Sequence, residues 1–222
     1  TYEFGTWTPL VMAGNLVSRT DYPGGTYISN SRDVFARLTE TTLKNSSAAT
    51  LNSHAYSYDA AHRRTKQTRT DGSFVDYTYD DSGQLQSALG HEPGGTTNRW
   101  QERFFYGYDA AGNLSNRVQN VQTNVFHVDS LNQLTSVVRT NNSSTVAGST
   151  TIAATSVTVA DNGNSPVTAL RFADRTFART NVALLNGSNT FVAVAQDSLG
   201  RSDTNSVAVN LPCLLYTSPS PR

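Results

Sequence analysis

The 222-residue sequence predicts an all-β protein, a run of stacked antiparallel hairpins followed by a small β-sandwich. Three observations carry that expectation. A Tyr-x-Tyr-Asp-x-x-Gly-x-Leu unit recurs along the first half, and each copy ends its aromatic strand with the residues of a tight turn. After Arg139 the aromatics thin out, and short runs follow in which Val, Leu and Phe alternate with small or polar residues. Units of this kind bury little surface alone and become stable by stacking on their neighbours.

The repeat comes first. Tyr56-Ser57-Tyr58-Asp59, Tyr77-Thr78-Tyr79-Asp80 and Tyr106-Gly107-Tyr108-Asp109 align without gaps, and the alignment continues through Gly83-Gln84-Leu85 and Gly112-Asn113-Leu114. Weaker copies flank them at Asp33 and at Asp129-Ser130-Leu131-Asn132. The steps between aspartates are 26, 21, 29 and 20 residues, so the unit is near 20 residues with extra loop in the first and third steps. The third insertion holds Glu92-Pro93-Gly94-Gly95, which reads as a surface loop.

Each unit has a mechanical meaning. Tyrosines at i and i+2 fall on the same face of a strand. Asp at the first position and a left-handed residue at the fourth make a type I turn that closes a short hairpin. His62 and Asn132 stand where other copies have Gly, and both types tolerate positive φ. Ala36 departs from that rule. Leu38, Leu85, Leu114 and Leu134 open the return strand to pack on the next unit, and the stem of Arg64 covers the same surface in the remaining copy. Cross-strand aromatic pairs contribute about 0.2 to 1 kcal/mol each, too little for one hairpin to offset its ordering entropy. One continuous sheet is therefore expected.

This motif resembles the RHS or YD repeat family, which includes bacterial Rhs proteins, wall-associated proteins, the C component of insecticidal toxin complexes and the YD shell of teneurins. The resemblance covers residues 20 to 139. It implies a long sheet coiled into a hollow shell, which in the toxins encloses a C-terminal effector and in teneurins scaffolds adhesion. The structural repeat positions are Tyr56, Tyr58, Asp59, Tyr77, Tyr79, Asp80, Gly83, Leu85, Tyr106, Tyr108, Asp109, Gly112, Leu114, Asp129 and Asn132. Arg32 and Val128 replace the second Tyr of the family's pattern. The self-cleaving core of the toxin members has no match here.

The repeat segment is expected to span residues 1–139. Asn141 to Thr145 and Ala147-Gly148-Ser149 read as a flexible connection over 140–150. Residues 151–212 then predict a sandwich, with strands at 155–159, 166–172, 190–195 and 205–211 and turns at Asp161-Asn162-Gly163, Asn186-Gly187-Ser188 and Asp197 to Gly200. This half looks like the bacterial Ig-like modules of secreted proteins. At about 60 residues such a module buries only about 60 % of its chain surface, so it leans on its neighbour. Residues 213–222 resemble a translated sequencing-adaptor tail and are set aside as non-native. They hold the one cysteine, Cys213, so disulfides and thiolate chemistry are not expected.

Composition excludes further classes. Seventeen basic residues balance seventeen acidic ones, which leaves no electrostatic footprint for nucleic acid or an anionic membrane. Apolar runs such as Val182 to Leu185 are far short of a bilayer span, so no membrane insertion is expected. The four histidines at 54, 62, 91 and 127 lack metal-ligand spacing. Asp80-Asp81 is accounted for by the turn rather than by paired carboxylates across a cleft. No cofactor is expected, and the chain does not read as an enzyme. With Thr1 at its start and no initiating Met, it reads as a fragment of a large exported bacterial protein, secreted or on the cell surface. The expected partners are the rest of its own Rhs shell and an enclosed effector. The alternative reading is an adhesin that binds carbohydrate or a cell-surface protein through its Tyr-rich or sandwich faces.

Overall fold

The computed structural model describes residues 2–4, 16–211 and 216–217, which form strands joined by turns with no helix among them. One sheet runs through β1 (Tyr2–Phe4), β2 (Val17–Asp21), β3 (Tyr27–Arg32), β4 (Leu38–Lys44), β5 (Thr50–Tyr58) and β6 (Arg64–Arg69). It continues through β7 (Phe74–Tyr79), β8 (Leu85–His91), β9 (Asn98–Tyr108), β10 (Leu114–Gln119), β11 (Gln122–Val128) and β12 (Leu134–Arg139). Spatial order is chain order and every pairing is antiparallel, so the sheet grows hairpin by hairpin without a crossover.

Directly opposed residues show how the repeats share a face. Tyr56 lies opposite Gln67, Gln67 opposite Val75, Tyr77 opposite Ala88 and Ala88 opposite Phe104. Cross-strand partners point to the same side of a sheet, so the tyrosine positions form one aromatic face. Val75 and Ala88 are buried there, and the repeat tyrosines are half-buried.

Register slips at the Asp-led end of each hairpin. Ser57 faces Lys66 while Tyr58 faces Arg64, and Thr78 faces Ser87 while Tyr79 faces Leu85. The slip recurs at Arg32, Leu114 and Val128. A β-bulge bends its strand and sharpens its twist. Repetition along one rim concentrates bending on that side of the sheet.

The second unit holds two small sheets. β13 (Ser143–Ser149), β17 (Thr176–Ala183) and β16 (Leu170–Arg171) make one, in the order β13-β17-β16. β15 (Val167–Thr168), β14 (Ser156–Asp161), β18 (Gly187–Gln196) and β19 (Ser202–Leu211) make the other in that order. Val157, Val159, Ala169 and Phe177 form the core between them. Asn189 is fully buried, and its side chain is satisfied by Leu185 N–H at 2.7 Å and Leu185 C=O at 2.8 Å.

Three details differ from the expectation for this half. Residues 143–149 are a paired strand rather than a flexible connection. Gly148 serves a close approach there, since a Cβ would sit 2.8 Å from the Phe177 ring. The strand expected at 166–172 breaks at Ala169, so that β15 pairs with β14 and β16 with β17; Ala169 crosses between the sheets at 4 % exposure. β17 carried no signal of its own, because Arg179, Thr180 and Asn181 interrupt its apolar alternation. Of the tail 213–222, Tyr216–Thr217 form a short strand, β20, against β12, and the other positions lie outside the described residues.

Candidate functional site: a stacked turn rim and a buried ionic junction

The repeat aspartates build one turn many times over. In each, the fourth residue donates its N–H to the aspartate carbonyl, as Gly83 does to Asp80 at 3.0 Å, Gly112 to Asp109 at 3.0 Å and His62 to Asp59 at 3.1 Å. That residue is left-handed whatever its type: φ is 84° at Gly83, 83° at Gly112, 64° at His62, 60° at Asn132 and 61° at Ala36. Ala36 therefore follows the backbone rule that its side chain disfavours. The carboxylate closes the turn by accepting the N–H four residues on, from Arg63 to Asp59, Gln84 to Asp80 and Asn113 to Asp109 at 2.8 Å each, and from Gln133 to Asp129 at 2.9 Å. The Arg63 N–H, opposed by partial desolvation and aided by the Arg63 guanidinium, holds the Asp59 carboxyl below its usual range. At Asp109 the Asn113 side chain is the leading cause of the same downward shift.

Two side chains per repeat reach across to the neighbouring hairpin. The residue four after the aspartate spans the gap: Arg37 Nη1 lies 3.3 Å from Asp59 C=O, Arg63 Nη1 3.3 Å from Asp80 C=O, Gln84 Nε2 3.1 Å from Gly112 C=O, and Asn113 Nδ2 2.9 Å from Asn132 Oδ1. The tyrosine just before each aspartate reaches back. Tyr58 OH donates to Leu38 C=O at 2.6 Å, Tyr79 OH to Arg64 C=O at 2.8 Å and Tyr108 OH to Leu85 C=O at 3.0 Å. These carbonyls lie beyond the ladder between hairpins, whose last pairs toward this rim are Glu40 with Ala55, Lys66 with Asp76, and Ser87 with Phe105. Where neighbouring strands part, the hydroxyl replaces the missing backbone donor.

The first tyrosine of each pair has a different setting. Arg64 caps the Tyr56 ring at 4.1 Å, and Tyr77 OH donates to Gln67 Oε1 at 3.2 Å. The second tyrosines are capped as well, Tyr58 by Arg37 at 4.8 Å and Tyr79 by Arg63 at 4.7 Å. Tyr106, Leu85 and Leu114 are half-buried, whereas Leu134 is 56 % exposed and does not fill the packing role expected of it. Its copy is the last before the sheet gives way to the short β20.

A second constellation joins the long sheet to the sandwich. Arg99, in β9, has 2 % of its side chain exposed. Its guanidinium donates to Glu92 Oε1 at 2.8 Å, to Glu102 Oε1 at 3.0 Å and to Asp174 of the sandwich, and it lies 5.2 Å from the Phe172 ring. Glu102 also pairs with Arg69 at 2.6 Å, and Glu92 Oε2 accepts the Ala173 N–H at 2.9 Å. Burial works against the Arg99 charge, but Asp174, Glu102 and Glu92 outweigh it and move its pKa up. Burial likewise opposes ionisation of Asp174, yet Thr176 and Arg99 bring its carboxyl below the usual range. The cluster is an ionised, hydrogen-bonded lock between the Glu92 loop and the Phe172–Thr176 turn.

Sequence reasoning missed this junction. Glu92 to Gly95 reads as loop, and nothing in the spacing of Arg99 and Glu102 points to Asp174, 75 residues on. The one available signal was the 29-residue step around Glu92, an insertion holding Arg99, Trp100 and Glu102. The remaining candidates take structural positions. His54 bonds Gln67, His62 meets Arg37 and His91 stacks on Phe74. Among the described residues no group of three His, Cys, Asp or Glu could hold a metal. The carboxyls of Asp33, Asp59, Asp109, Asp161, Asp174 and Asp197 all move down, the opposite of what a general acid needs. These contacts hold hairpin to hairpin and sheet to sandwich.

Comparison with solved structures finds likenesses at low identity. The chain is similar to the Photorhabdus luminescens Tc holotoxin pore carrying a TccC3 mutation, at 15% identity and TM-score 0.50, covering 91% of this chain and 9% of that one. It also aligns with the TcdB2-TccC3-Cdc42 complex, at 17% identity and TM-score 0.45, covering 84% of this chain and 9% of that one. A tetra-tandem repeat in the extending region of a large adhesion protein aligns at 15% identity and TM-score 0.20, covering 86% of this chain and 68% of that one. The chain thus spans under a tenth of the length of either Tc chain, and the likeness to the holotoxin pore is one of fold. No family model matches the sequence, and no curated protein matches it.

Proposed function

We propose that this chain is a non-catalytic wall segment of a large exported bacterial repeat protein, of Rhs type, whose sheet encloses or presents an effector polypeptide, with an Ig-like module leaning on the wall. The observation that carries this reading is the rim. From the Asp33 hairpin to the Asp109 hairpin each holds the next through a tyrosine hydroxyl and a polar side chain in the same two places, so the sheet extends by addition of like units. Among the described residues the long sheet buries few apolar side chains, Val75 and Ala88, and its aromatic face stays half-covered, as suits one layer of a larger wall. The fold likeness to the Tc holotoxin pore agrees with that architecture.

The test uses the full-length gene product. Limited proteolysis of the intact protein should leave a downstream effector polypeptide protected, and Tyr58→Phe, Tyr79→Phe and Tyr108→Phe together should shorten that protection. Equal cleavage of the effector in native and denatured protein would refute enclosure. The adhesin alternative has less support, because Tyr56, Tyr58 and Tyr79 already carry a guanidinium at the ring where a sugar would stack. Glycan binding by this chain that Tyr79→Ala abolishes without unfolding would reverse that preference.

A further inference from the structure

We infer that the outer edge of β19 is a homodimerisation surface, on which a second copy of this chain pairs antiparallel through its own β19. The edges of the sandwich sheets are not alike. β15 and β16 are two residues long, and β13 lies against β9 and β11 of the long sheet. β19 runs ten residues, pairs with β18 without a register break, and has no strand on its other side among the described residues. Natural edge strands are guarded by shortness, charged side chains, proline or a bulge. Ser202 to Leu211 has no lysine, proline or bulge, and its one charge, Asp203, stands near its start.

The inward side of this edge is also unfinished. Val207 lies opposite the buried Phe191 and Val209 opposite the buried Asn189, so both valines point toward the opposing sheet. They remain 55 % and 40 % exposed. Beside them a cleft of about 670 Å³ opens between the sheets, walled by Val157, Phe177, Phe191 and Val207. A further strand alongside β19 would cover both valines.

Charge identifies the occupant. The one ionisable side chain on β19 is Asp203, near its start. In a two-fold pairing centred on Val207, that valine meets the partner's Val207, Asn205 meets the partner's Val209, and Asp203 meets the partner's Leu211. The two carboxylates then stand about 27 Å apart at roughly 3.4 Å per residue, well beyond the screening length of about 8 Å. The strand is its own complement. A two-fold axis normal to the sheet joins the two four-stranded sheets into one of eight, with both clefts on the same side, and the contact closes without leaving a like edge to propagate.

Sedimentation equilibrium of the 222-residue chain, in a Cys213→Ser background that removes its one thiol, tests this directly. The expected result is a reversible dimer of the 24.0 kDa chain. Val207→Lys should weaken association at least tenfold with an unchanged circular dichroism spectrum. Oxidation of Val207→Cys in the same background should give a covalent dimer, and oxidation of Thr204→Cys should not. A monomer at every concentration, a dimer indifferent to Val207→Lys, oligomers larger than two, or equal cross-linking at 204 would each overturn the assignment.

Discussion

Removing three hydroxyls should loosen the sheet by an amount the structure fixes. Tyr58→Phe, Tyr79→Phe and Tyr108→Phe each keep the ring and its packing and delete one bond to a neighbouring hairpin, of 2.6, 2.8 and 3.0 Å. A neutral hydrogen bond of this kind contributes about 1 kcal/mol net, and an acceptor left without a donor at a half-buried rim keeps the cost near that figure. Successive sites are two strands apart, roughly 10 Å, far enough for their effects to add. The triple variant should therefore lose about 3 kcal/mol. With a urea m-value of about 3 kcal/mol/M, the midpoint moves down by about 1 M. Urea titration followed by far-ultraviolet circular dichroism and by tryptophan fluorescence reads the shift. Tyr22→Phe, at a side chain 44 % exposed, serves as the neutral control. A triple variant whose midpoint stays with that control would refute the claim that hydroxyls replace the parted ladder.

The turn backbone gives two opposed expectations by thermal melting. Gly112→Val, at φ 83°, should cost about 1 to 2 kcal/mol, whereas Ala36→Gly, at φ 61°, should raise the melting temperature by relieving left-handed strain. Arg99→Met leaves Glu92, Glu102 and Asp174 facing one another without their shared cation; about 3 to 5 kcal/mol should be lost, with the sandwich becoming sensitive to protease before the long sheet. Asp59, Asp109 and Asp197 have folded-state pKa values below the ordinary 3.8. Their stabilisation is present above about pH 4 and is lost as pH falls through the folded values, so melting temperatures should drop below about pH 4 and less steeply in Asp109→Asn.

Much of this architecture was legible because the repeat unit is local. Tyr-x-Tyr fixes two side chains on one face, and Asp at one end with a left-handed residue three positions on fixes the turn, so the hairpins follow from nine adjacent residues. The sequence could not say which tyrosine does what. Tyr58, Tyr79 and Tyr108 donate to backbone carbonyls of the neighbouring hairpin while Tyr77 reaches only a side chain there, Gln67, because only the second of each pair sits where the ladder between hairpins has parted. Ala36 was misread by residue type, since the hydrogen bonds of the Asp33 turn impose φ 61° on an alanine. The sandwich was legible as β but not strand by strand. Gly148 looks like linker and is a packing contact, and the 166–172 run looks like one strand and serves two sheets. The Arg99 junction joins residues 75 apart through ionic contacts, which leave no periodic trace.

Native-state hydrogen exchange across residues 56–114 tests the central claim most directly. If hairpins hold one another through the rim, the slow amides of β5 to β10 should exchange at low denaturant with one shared free energy and one shared denaturant dependence, and Tyr79→Phe should lower that value in strands on both sides of it. Separate free energies for each hairpin, with the effect of Tyr79→Phe confined to β7 and β8, would contradict the account.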